Sequence, residues 1–185
     1  MKEKAIYTVG YGKRELDELV SLLKEHGIGF LIDVRSTPYS KFRPEFSKDN
    51  LACALQREGI RYVFMGDLLG GRPAGKECYV NGKVDYERLK VTEPFRQGIC
   101  RLRTAWEKGL RVCIMCSEGR PEKCHRSKLI GEVLEAEDIP VRHIDADGNV
   151  VSQQTIIQIL TRGQQSLFGE TFTSRKKYSS GPPLS

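Results

Sequence analysis

The stretch LRVCIMCSEGRPEKCHRSKLIGEVL, residues 110–134, contains the pattern that decides the fold. Residues 110–116 form a mostly apolar run, which predicts a strand. The end of the stretch repeats apolar side chains at helical spacing, which predicts a helix. A turn crowded with sulfur, imidazole, carboxylate and guanidinium groups lies between the two. A strand, a turn and a helix in this order form the repeating unit of an α/β fold.

The same alternation continues on both sides of this stretch. Further apolar runs predict strands at residues 5–9, 28–34, 60–64 and 141–144, and helical spacing recurs between them. Strands that alternate with helices predict a single doubly wound α/β domain. It has a mostly parallel sheet of about five strands and helices on both faces. Residues 66–83 are rich in glycine, which predicts a long surface loop.

Length and composition favour one globular domain with an extension. The chain has 185 residues, of which 39% are hydrophobic and 29% charged, as is typical of soluble globular proteins. The composition becomes polar, with glycine, serine and proline, from residue 163 onward. We therefore assign an α/β domain to residues 1–162 and a flexible basic C-terminal tail to residues 163–185.

The compartment and the partner class follow from similar observations. The apolar part of the N-terminus is too short for a secretory signal, and no stretch is long enough to span a membrane. We therefore expect a cytoplasmic protein without a membrane partner, whose six cysteines are thiols or metal ligands. The formal net charge of +6 favours anionic partners such as nucleotides and nucleic acids, although it also serves solubility.

Polar residues stand at the carboxyl ends of the predicted strands. In doubly wound sheets, ligands bind beyond these ends. The arrangement therefore predicts a single site at one edge of the sheet. The polar residues at this edge are Tyr11, Asp33, Arg35, Cys116, Glu118, His143 and Asp145.

A metal site is one interpretation of the turn. Cys113 and Cys116 form a CxxC pair, but within a strand they point to opposite faces, so Cys113 is most simply a core residue. Cys116, Cys124 and His125 could converge, with Glu118 as an oxygen ligand. On a helix, however, Cys124 and His125 point about 100° apart. We therefore assign no metal ligand and identify no cofactor.

Cys116 is the candidate nucleophile. It ends a strand just before a helix N-terminus, where unpaired N–H groups and the helix dipole lower the pKa of a thiol. Cysteine-dependent phosphatases and sulfur transferases use this placement. A phosphatase loop, however, has an arginine six positions after the cysteine, where this chain has Glu122. Glu118 would also oppose a phosphate dianion and raise the pKa of the thiol. The alternative is a buried structural thiol.

Anion binding is the third interpretation. His125 and Arg126 precede the apolar stripe of the helix by one turn, which places both on the face toward the sheet. An inward arginine is costly unless it is paired. Arg126 therefore either pairs with Asp33 or Glu118 or holds a phosphate or carboxylate at the helix N-terminus. We favour a mixed site in which the carboxylates orient arginines that contact an anion.

His125 is the natural general acid or base in such a site, since its pKa lies near neutral. The alternative is a hydrogen-bonded core histidine. Our catalytic candidates are Cys116, Glu118 and His125. Our substrate-binding candidates are Tyr11, Asp33, Arg35, Arg43, Cys124 and Arg126.

Several short motifs occur in order between residues 5 and 145. They are Gly10-Tyr11, Asp33-Val34-Arg35, Pro44-Glu45-Phe46, Cys116-Ser117-Glu118 and Cys124-His125-Arg126. The residues in these motifs, and the order of the motifs along the chain, resemble those of the domain of unknown function 488 family. The resemblance implies an α/β fold and makes the turn a feature of the family. It implies no reaction.

The tail contains QQSLF, in which Gln164, Leu167 and Phe168 are partner-binding candidates. The sequence resembles the short motif by which bacterial proteins dock on the DNA polymerase sliding clamp. A disordered segment can offer two adjacent apolar side chains to a preformed pocket, while the glutamine amide fixes the register. The alternative is that Leu167 and Phe168 pack back on the domain.

Two functions follow as hypotheses. The first is an enzyme that binds and processes a phosphate-bearing nucleotide or nucleic acid at the strand ends. The second is a non-catalytic adaptor for DNA repair or replication, which docks on the clamp and contacts nucleic acid through the loop around Lys41, Phe42 and Arg43. A zinc protein is a third and weaker interpretation.

Overall fold

The computed structural model describes residues 4–162 and 171–178. Five parallel strands and one antiparallel edge strand form the main sheet, in the order β3-β2-β6-β1-β7-β8. A two-stranded hairpin, β4-β5, lies outside it. The strands are β1 (Ile6–Gly10), β2 (Phe30–Asp33), β3 (Arg61–Phe64), β4 (Tyr79–Val80), β5 (Lys83–Val84), β6 (Val112–Cys116), β7 (Val141–Ile144) and β8 (Val150–Ser152).

Helices cover both faces of this sheet. They are α1 (Leu16–Glu25), α2 (Lys48–Arg57), α3 (Gly66–Leu69), α4 (Tyr86–Lys90), α5 (Glu93–Glu107), α6 (Glu132–Ala136) and α7 (Gln153–Thr161). Apolar side chains of α1 and α2 form one core, and those of α3, α4, α5 and α6 form the other. None of the helices in the described part of the chain has the length and apolar character of a membrane-spanning segment.

Strand β6 shows why the sheet is buried on both sides. All five of its residues are buried, and they alternate between the two cores. Cys113 packs in the core under α1 and α2, whereas Cys116 faces the opposite core. The predicted doubly wound α/β domain is therefore confirmed. Central parallel strands need apolar side chains at every position, because helices cover both faces.

The glycine-rich region differs from the predicted surface loop. It contains α3, a 3₁₀ turn (Lys76–Cys78) and the β4-β5 hairpin. Asn81 and Gly82 connect the two strands with φ values of 51° and 78°. Positive φ at both central positions is what a two-residue hairpin turn of type I′ requires, and Asn-Gly adopts it at low cost. The folded hairpin allows this region to pack on the domain.

The turn after β6 also differs from the prediction that Cys124 and His125 lie on one continuous helix. Pro121–Lys123 is a 3₁₀ turn, and Cys124 is extended, with φ −117° and ψ 150°. A π-helical turn (Arg126–Gly131) follows and leads directly into α6. The hydroxyl of Ser127 donates to the carbonyl of Pro121, which also accepts from the N–H of Cys124 at 3.0 Å. The backbone therefore changes direction between Cys124 and the helix.

Residues 171–178 lie against the domain. The N–H of Ser174 donates to the carbonyl of Val84 at 2.9 Å, and the Ser174 hydroxyl accepts from the Val84 N–H at 2.9 Å. The N–H of Tyr178 donates to the carbonyl of Gly82 at 2.7 Å. This part of the predicted flexible tail thus pairs with the hairpin, because β5 offers its edge. The candidates Gln164, Leu167 and Phe168 lie outside the described residues.

His143 forms a buried polar network beneath the sheet edge. Its Nδ1 lies 2.7 Å from Oγ1 of Thr8, and its Nε2 lies 2.6 Å from Oε1 of Gln153. The Gln153 amide in turn donates to the carbonyl of Ser127 at 2.9 Å. Because Oε1 can only accept, Nε2 carries a proton and Nδ1 accepts from the threonine hydroxyl. Burial lowers the pKa of His143 to about 3, so the imidazole is neutral in the folded protein.

This network predicts a pH-dependent stability. The folded state holds the pKa of His143 below its unfolded value, so the stabilisation is complete above about pH 6.5 and is lost as the pH falls below it. The parent should lose about 2 kcal/mol more unfolding free energy between pH 7 and pH 5 than His143→Gln, measured by denaturant titration. The half-buried His26→Gln variant is the matched control and should follow the parent. Parallel curves for the parent and His143→Gln would contradict the prediction.

Candidate functional site

Two adjoining hollows, about 280 Å³ and 300 Å³ in volume, open at the carboxyl ends of β1, β2 and β6. We call them together the strand-end cleft. Five residues line both hollows, namely Gly71, Cys116, Ser117, His125 and Tyr178. Most charged side chains of the lining are cationic. The charged lining residues are Arg35, Arg72, Glu118, Lys123, Arg175 and Lys176.

Arg35 is held in the cleft wall by a buried ion pair with Asp33. Its Nε donates to Oδ1 at 2.9 Å, its Nη2 donates to Oδ2 at 2.6 Å, and Nη2 also donates to the carbonyl of Phe46 at 2.8 Å. Burial alone would lower the pKa of Arg35, but the hydrogen bonds and charge of Asp33 raise it. The guanidinium is 5% exposed, and its Nη1 has no hydrogen-bond partner among the described residues.

Aromatic rings complete this side of the cleft. Tyr11 stacks on Phe46, with ring centroids 4.2 Å apart, and the Arg35 guanidinium lies 5.5 Å from the Tyr11 ring centroid. The hydroxyl of Tyr62 donates to Oδ2 of Asp33 at 2.7 Å. Asp33 therefore accepts bonds from two neighbours at once. Its carboxylate orients the arginine without reaching the cleft itself.

The opposite side of the cleft holds Cys116, Cys124 and His125. Nδ1 of His125 lies 3.9 Å from Sγ of Cys116 and 3.7 Å from Sγ of Cys124. All three ligand atoms lie within 4.8 Å of one another. Two sulfurs and one imidazole nitrogen therefore surround a common point. Such a group can hold a soft metal ion or stabilise a thiolate.

The two thiols of this group differ in acidity. A hydrogen bond from Cys124 lowers the pKa of Cys116 well below its usual value, burial opposes this, and His125 and the Glu118 N–H add to the lowering. Burial raises the pKa of Cys124 well above its usual value, and the neighbouring Cys116 raises it further. Cys116 is therefore the more acidic thiol of the pair.

The ring of His125 is clamped by the glycine-rich region. A Cβ atom added at Gly71 would lie 3.0 Å from both Cγ and Nδ1 of the imidazole, so a larger residue there would press on the ring. With the ring fixed, Nδ1 faces the two sulfurs and Nε2 points away from them. In the part of the chain that the structure describes, Nε2 is buried and has no hydrogen-bond partner.

Arg126 lies behind the turn instead of on the cleft wall. It is fully buried, and its Nη2 donates to the main-chain carbonyl of Gly119 at 2.7 Å, not to the carboxylate of Asp33 or Glu118. Its Nη1 occupies the space that a side chain at Gly10 would need. The guanidinium thus supports the turn from below and contributes positive charge beneath it.

The remaining candidates are tied to other groups. Glu118 lines the cleft, but its Oε2 pairs with Arg175 at 3.1 Å. Arg43 lies outside the lining of the cleft. Its Nε donates to Glu45 at 2.6 Å, and its Nη2 donates to the carbonyl of Arg14 at 2.7 Å. Arg43 therefore anchors its loop to the start of α1.

Comparison with known protein families adds one finding. The family model described as domain of unknown function DUF488 matches residues 15–133 of this chain.

The chain belongs to the DUF488 family.

The matched range contains the Asp33–Arg35 pair and the Cys116–Cys124–His125 group, whereas Gly10 and Tyr11 precede it. The searches of curated proteins and of solved structures found no match. The family description names no reaction, so a function for this DUF488 domain has to be argued from the geometry of its cleft.

Sequence reasoning missed several parts of this DUF488 site. Tyr62 gave no signal, because its position in β3 resembles that of any half-buried strand residue. Gly71 and Arg72 lie in the glycine-rich region. Its glycine content was the sequence feature that could have indicated a functional segment. Tyr178 and Arg175 belong to the tail, where composition predicted flexibility. These residues reach the cleft only through tertiary packing.

The close approach at Gly10 makes a testable prediction. A Cβ atom there would lie 1.8 Å from the carbonyl oxygen of Glu118 and 2.5 Å from Nη1 of Arg126. Gly10→Ala should therefore lower the unfolding free energy by at least about 1–3 kcal/mol in denaturant titrations, as overpacking typically does. The control is Gly29→Ala, where the nearest atom would be 4.0 Å away. Equal stability of the two variants would contradict the packing described here.

Proposed function

We propose that this protein binds a phosphate-bearing nucleotide or nucleic acid in the strand-end cleft and acts on the phosphate. The observation that supports it best is a pair of buried nitrogen atoms. Nη1 of Arg35 and Nε2 of His125 both lack partners among the described residues, and both side chains line the cleft. A buried polar group without a partner costs about 1–3 kcal/mol. An anion with several acceptor oxygens would satisfy both nitrogens.

The charge of the cleft favours phosphate over a carboxylate. Arg35 uses Nε and Nη2 of its guanidinium on Asp33 and on the carbonyl of Phe46, and this leaves Nη1 for a ligand. Cationic side chains follow the remaining wall, namely Arg72, Lys123, Arg175 and Lys176. Together they outnumber the single carboxylate of the lining, Glu118. A phosphate group, which brings one or two negative charges and two or three free oxygens beside other phosphates of a nucleotide or nucleic acid, fits this distribution better than a lone carboxylate.

Exposed aromatic side chains favour a nucleotide or nucleic acid as the carrier of the phosphate. The loop between β2 and α2 exposes 68% of Tyr39 and 89% of Phe42. Tyr39 also lines the hollow that contains Arg35. Aromatic rings beside a cationic groove stack on bases of single-stranded nucleic acids, and Lys41 between them adds charge. A phosphate at Arg35 would place the adjoining base near these rings.

The reactive group beside the bound phosphate is the cluster of Cys116, Cys124 and His125. A phosphate between Arg35 and His125 would lie next to the sulfur of Cys116, which lines the same hollow. That sulfur can serve as a nucleophile or as a metal ligand. As a nucleophile it would bond to the phosphorus, and as a metal ligand it would hold an ion that can contact a phosphate oxygen. Glu118 lines the adjoining hollow and is a carboxylate that can carry protons.

The alternative function is a DNA-associated adaptor that docks on the sliding clamp through Gln164, Leu167 and Phe168. These residues lie outside the described part of the chain, so this remains a prediction. The adaptor function assigns no ligand to the buried nitrogens of Arg35 and His125. The enzymatic proposal has both nitrogens bind the phosphate, and we therefore favour it.

Substitution of Arg35 tests the proposed function. Arg35→Lys keeps the positive charge beside Asp33 but removes the guanidinium and its unpartnered Nη1. Its affinity for orthophosphate and for oligothymidylate, measured by calorimetry, should fall at least about tenfold. Arg101→Lys, on the exposed face of α5, is the matched control. Failure of the parent to bind either ligand, or equal binding by Arg35→Lys, would rule out the proposed site.

Substitution of Phe42 tests the nucleic-acid part of the proposal. Loss of one stacking ring costs about 1–3 kcal/mol, so Phe42→Ala should bind oligothymidylate roughly 5- to 150-fold more weakly. Its affinity for orthophosphate should not change, because the ring is far more exposed than the cleft wall. Val91→Ala, which truncates another exposed apolar side chain, is the control. An unchanged oligothymidylate affinity in Phe42→Ala would exclude stacking on this loop.

A further inference from the structure

We infer that Cys116, Cys124 and His125 form a zinc-binding site that opens onto the strand-end cleft. The binding of the ion is independent of the proposed function, and only the reaction assigned to it rests on that proposal. The three donor atoms come from one strand end and from the turn before the π-helical segment. They lie within 4.8 Å of one another, and each of the three residues is buried.

The distances agree with tetrahedral coordination. Zinc–sulfur bonds of about 2.3 Å and zinc–nitrogen bonds of about 2.0–2.1 Å give tetrahedron edges of about 3.6 Å between sulfur and nitrogen. Nδ1 of His125 lies 3.9 Å from Sγ of Cys116 and 3.7 Å from Sγ of Cys124. The same nitrogen is therefore at nearly the right distance from both sulfurs. The two sulfur–nitrogen distances therefore need shifts of only about 0.1–0.3 Å, whereas the two sulfurs, which lie within 4.8 Å of each other, have to be about 3.8 Å apart around one ion.

The backbone explains how adjacent residues can act as joint ligands. On a continuous helix the side chains of Cys124 and His125 would diverge. Cys124 is instead extended, with φ −117° and ψ 150°, and His125 is the first residue with helical dihedrals. The change of direction between them turns both side chains toward Cys116. Gly71 then holds the imidazole ring in place, because its missing side chain lets the backbone approach.

Other roles explain less of this arrangement. A thiolate nucleophile at Cys116 accounts for a hydrogen bond from Cys124, but it does not account for the nearly equal distances of Nδ1 of His125 from both sulfurs. Two sulfurs and an imidazole nitrogen form a soft ligand set, which selects zinc over magnesium or calcium.

The site has the form of a catalytic centre rather than a structural one. Structural zinc sites have four protein ligands, whereas catalytic sites have three and leave one position for water. Cys116 and His125 line both hollows, so the fourth position faces the cleft. A zinc-bound water has a pKa near 7, which makes it a nucleophile at neutral pH.

In the proposed reaction, this water attacks the phosphate that Arg35 holds. The water oxygen forms a bond to phosphorus, and the bond between phosphorus and the leaving oxygen breaks. The leaving oxygen takes its electron pair and receives the proton that the water releases. Glu118, which lines the cleft, is the carboxylate placed to carry that proton. The overall reaction is hydrolysis of a phosphate ester, and it requires no further reactant.

The test uses the full-length protein, reduced and treated with a chelator. Zn²⁺ is titrated in competition with a chromophoric chelator, and Co²⁺ serves as the spectroscopic probe. The parent should bind one equivalent, and Co²⁺ should show thiolate-to-cobalt charge-transfer absorption with the bands of a tetrahedral site. Cys124→Ser should lower the Zn²⁺ affinity at least about 100-fold and weaken the charge-transfer absorption.

Two other cysteines provide matched controls. Cys113→Ala removes a buried sulfur from the same strand but on its opposite face, and Cys100→Ser changes an exposed one. Both should bind Zn²⁺ like the parent. An equal loss in the controls, or undiminished binding by Cys124→Ser, would overturn the site. If Cys124→Ser does not fold, the Co²⁺ spectrum of the parent decides, because a spectrum without thiolate charge transfer also overturns it.

Orthophosphate binding by the parent, measured with and without Zn²⁺, separates this inference from the proposed function. Phosphate binding without any uptake of Zn²⁺ would remove the zinc site and leave the proposed anion site intact. Uptake of Zn²⁺ without phosphate binding would remove the proposed anion site and leave the zinc site intact. Arg35→Lys should still bind one Zn²⁺, because Arg35 lies on the other wall of the cleft.

Discussion

The buried ion pair between Asp33 and Arg35 is the interaction on which the cleft depends. Asp33 is fully buried and accepts hydrogen bonds from the main chain and side chain of Arg35 and from Tyr62. Breaking such a pair costs about 3–5 kcal/mol, because one charge is left alone in the interior. The guanidinium is therefore held in one orientation, in which Nη1 has no hydrogen-bond partner among the described residues. It also binds the carbonyl of Phe46, which fixes the loop that leads to α2.

The turn after β6 supplies the second half of the site, and its shape follows from packing at both ends. Tyr11 and Gly12 extend the pairing of β1 with main-chain carbonyls beyond Cys116, while Arg126 supports the carbonyl of Gly119 from below. The chain cannot enter a regular helix at Pro121 under these constraints. It forms a short 3₁₀ turn, an extended residue and a π-helical turn instead. That path brings two sulfurs and one imidazole together.

The cleft also unites segments that are far apart in the chain. The glycine-rich region contacts His125 from one side, and residues 171–178 reach the cleft by pairing with the β4-β5 hairpin. Arg175 pairs with Glu118 at 3.1 Å, and the Arg72 guanidinium lies 4.5 Å from the centroid of the Tyr178 ring. The wall opposite Arg35 is thus assembled from three separate parts of the sequence. Each part adds positive charge or aromatic surface to the same hollow.

The sequence by itself determined the strands, their alternation with helices, the two faces of β6 and the inward direction of His125 and Arg126. Burial follows local periodicity, because helices and strands present fixed faces to the core. The sequence also predicted that Asp33, Arg35 and Cys116 lie at one edge of the sheet, since the carboxyl ends of parallel strands meet there. Only the tertiary structure decided that Cys124 and His125 converge, that Arg43 points elsewhere, and that Tyr62 and Tyr178 join the site. Side-chain direction across a turn depends on backbone dihedrals that distant contacts impose, and no local pattern contains them.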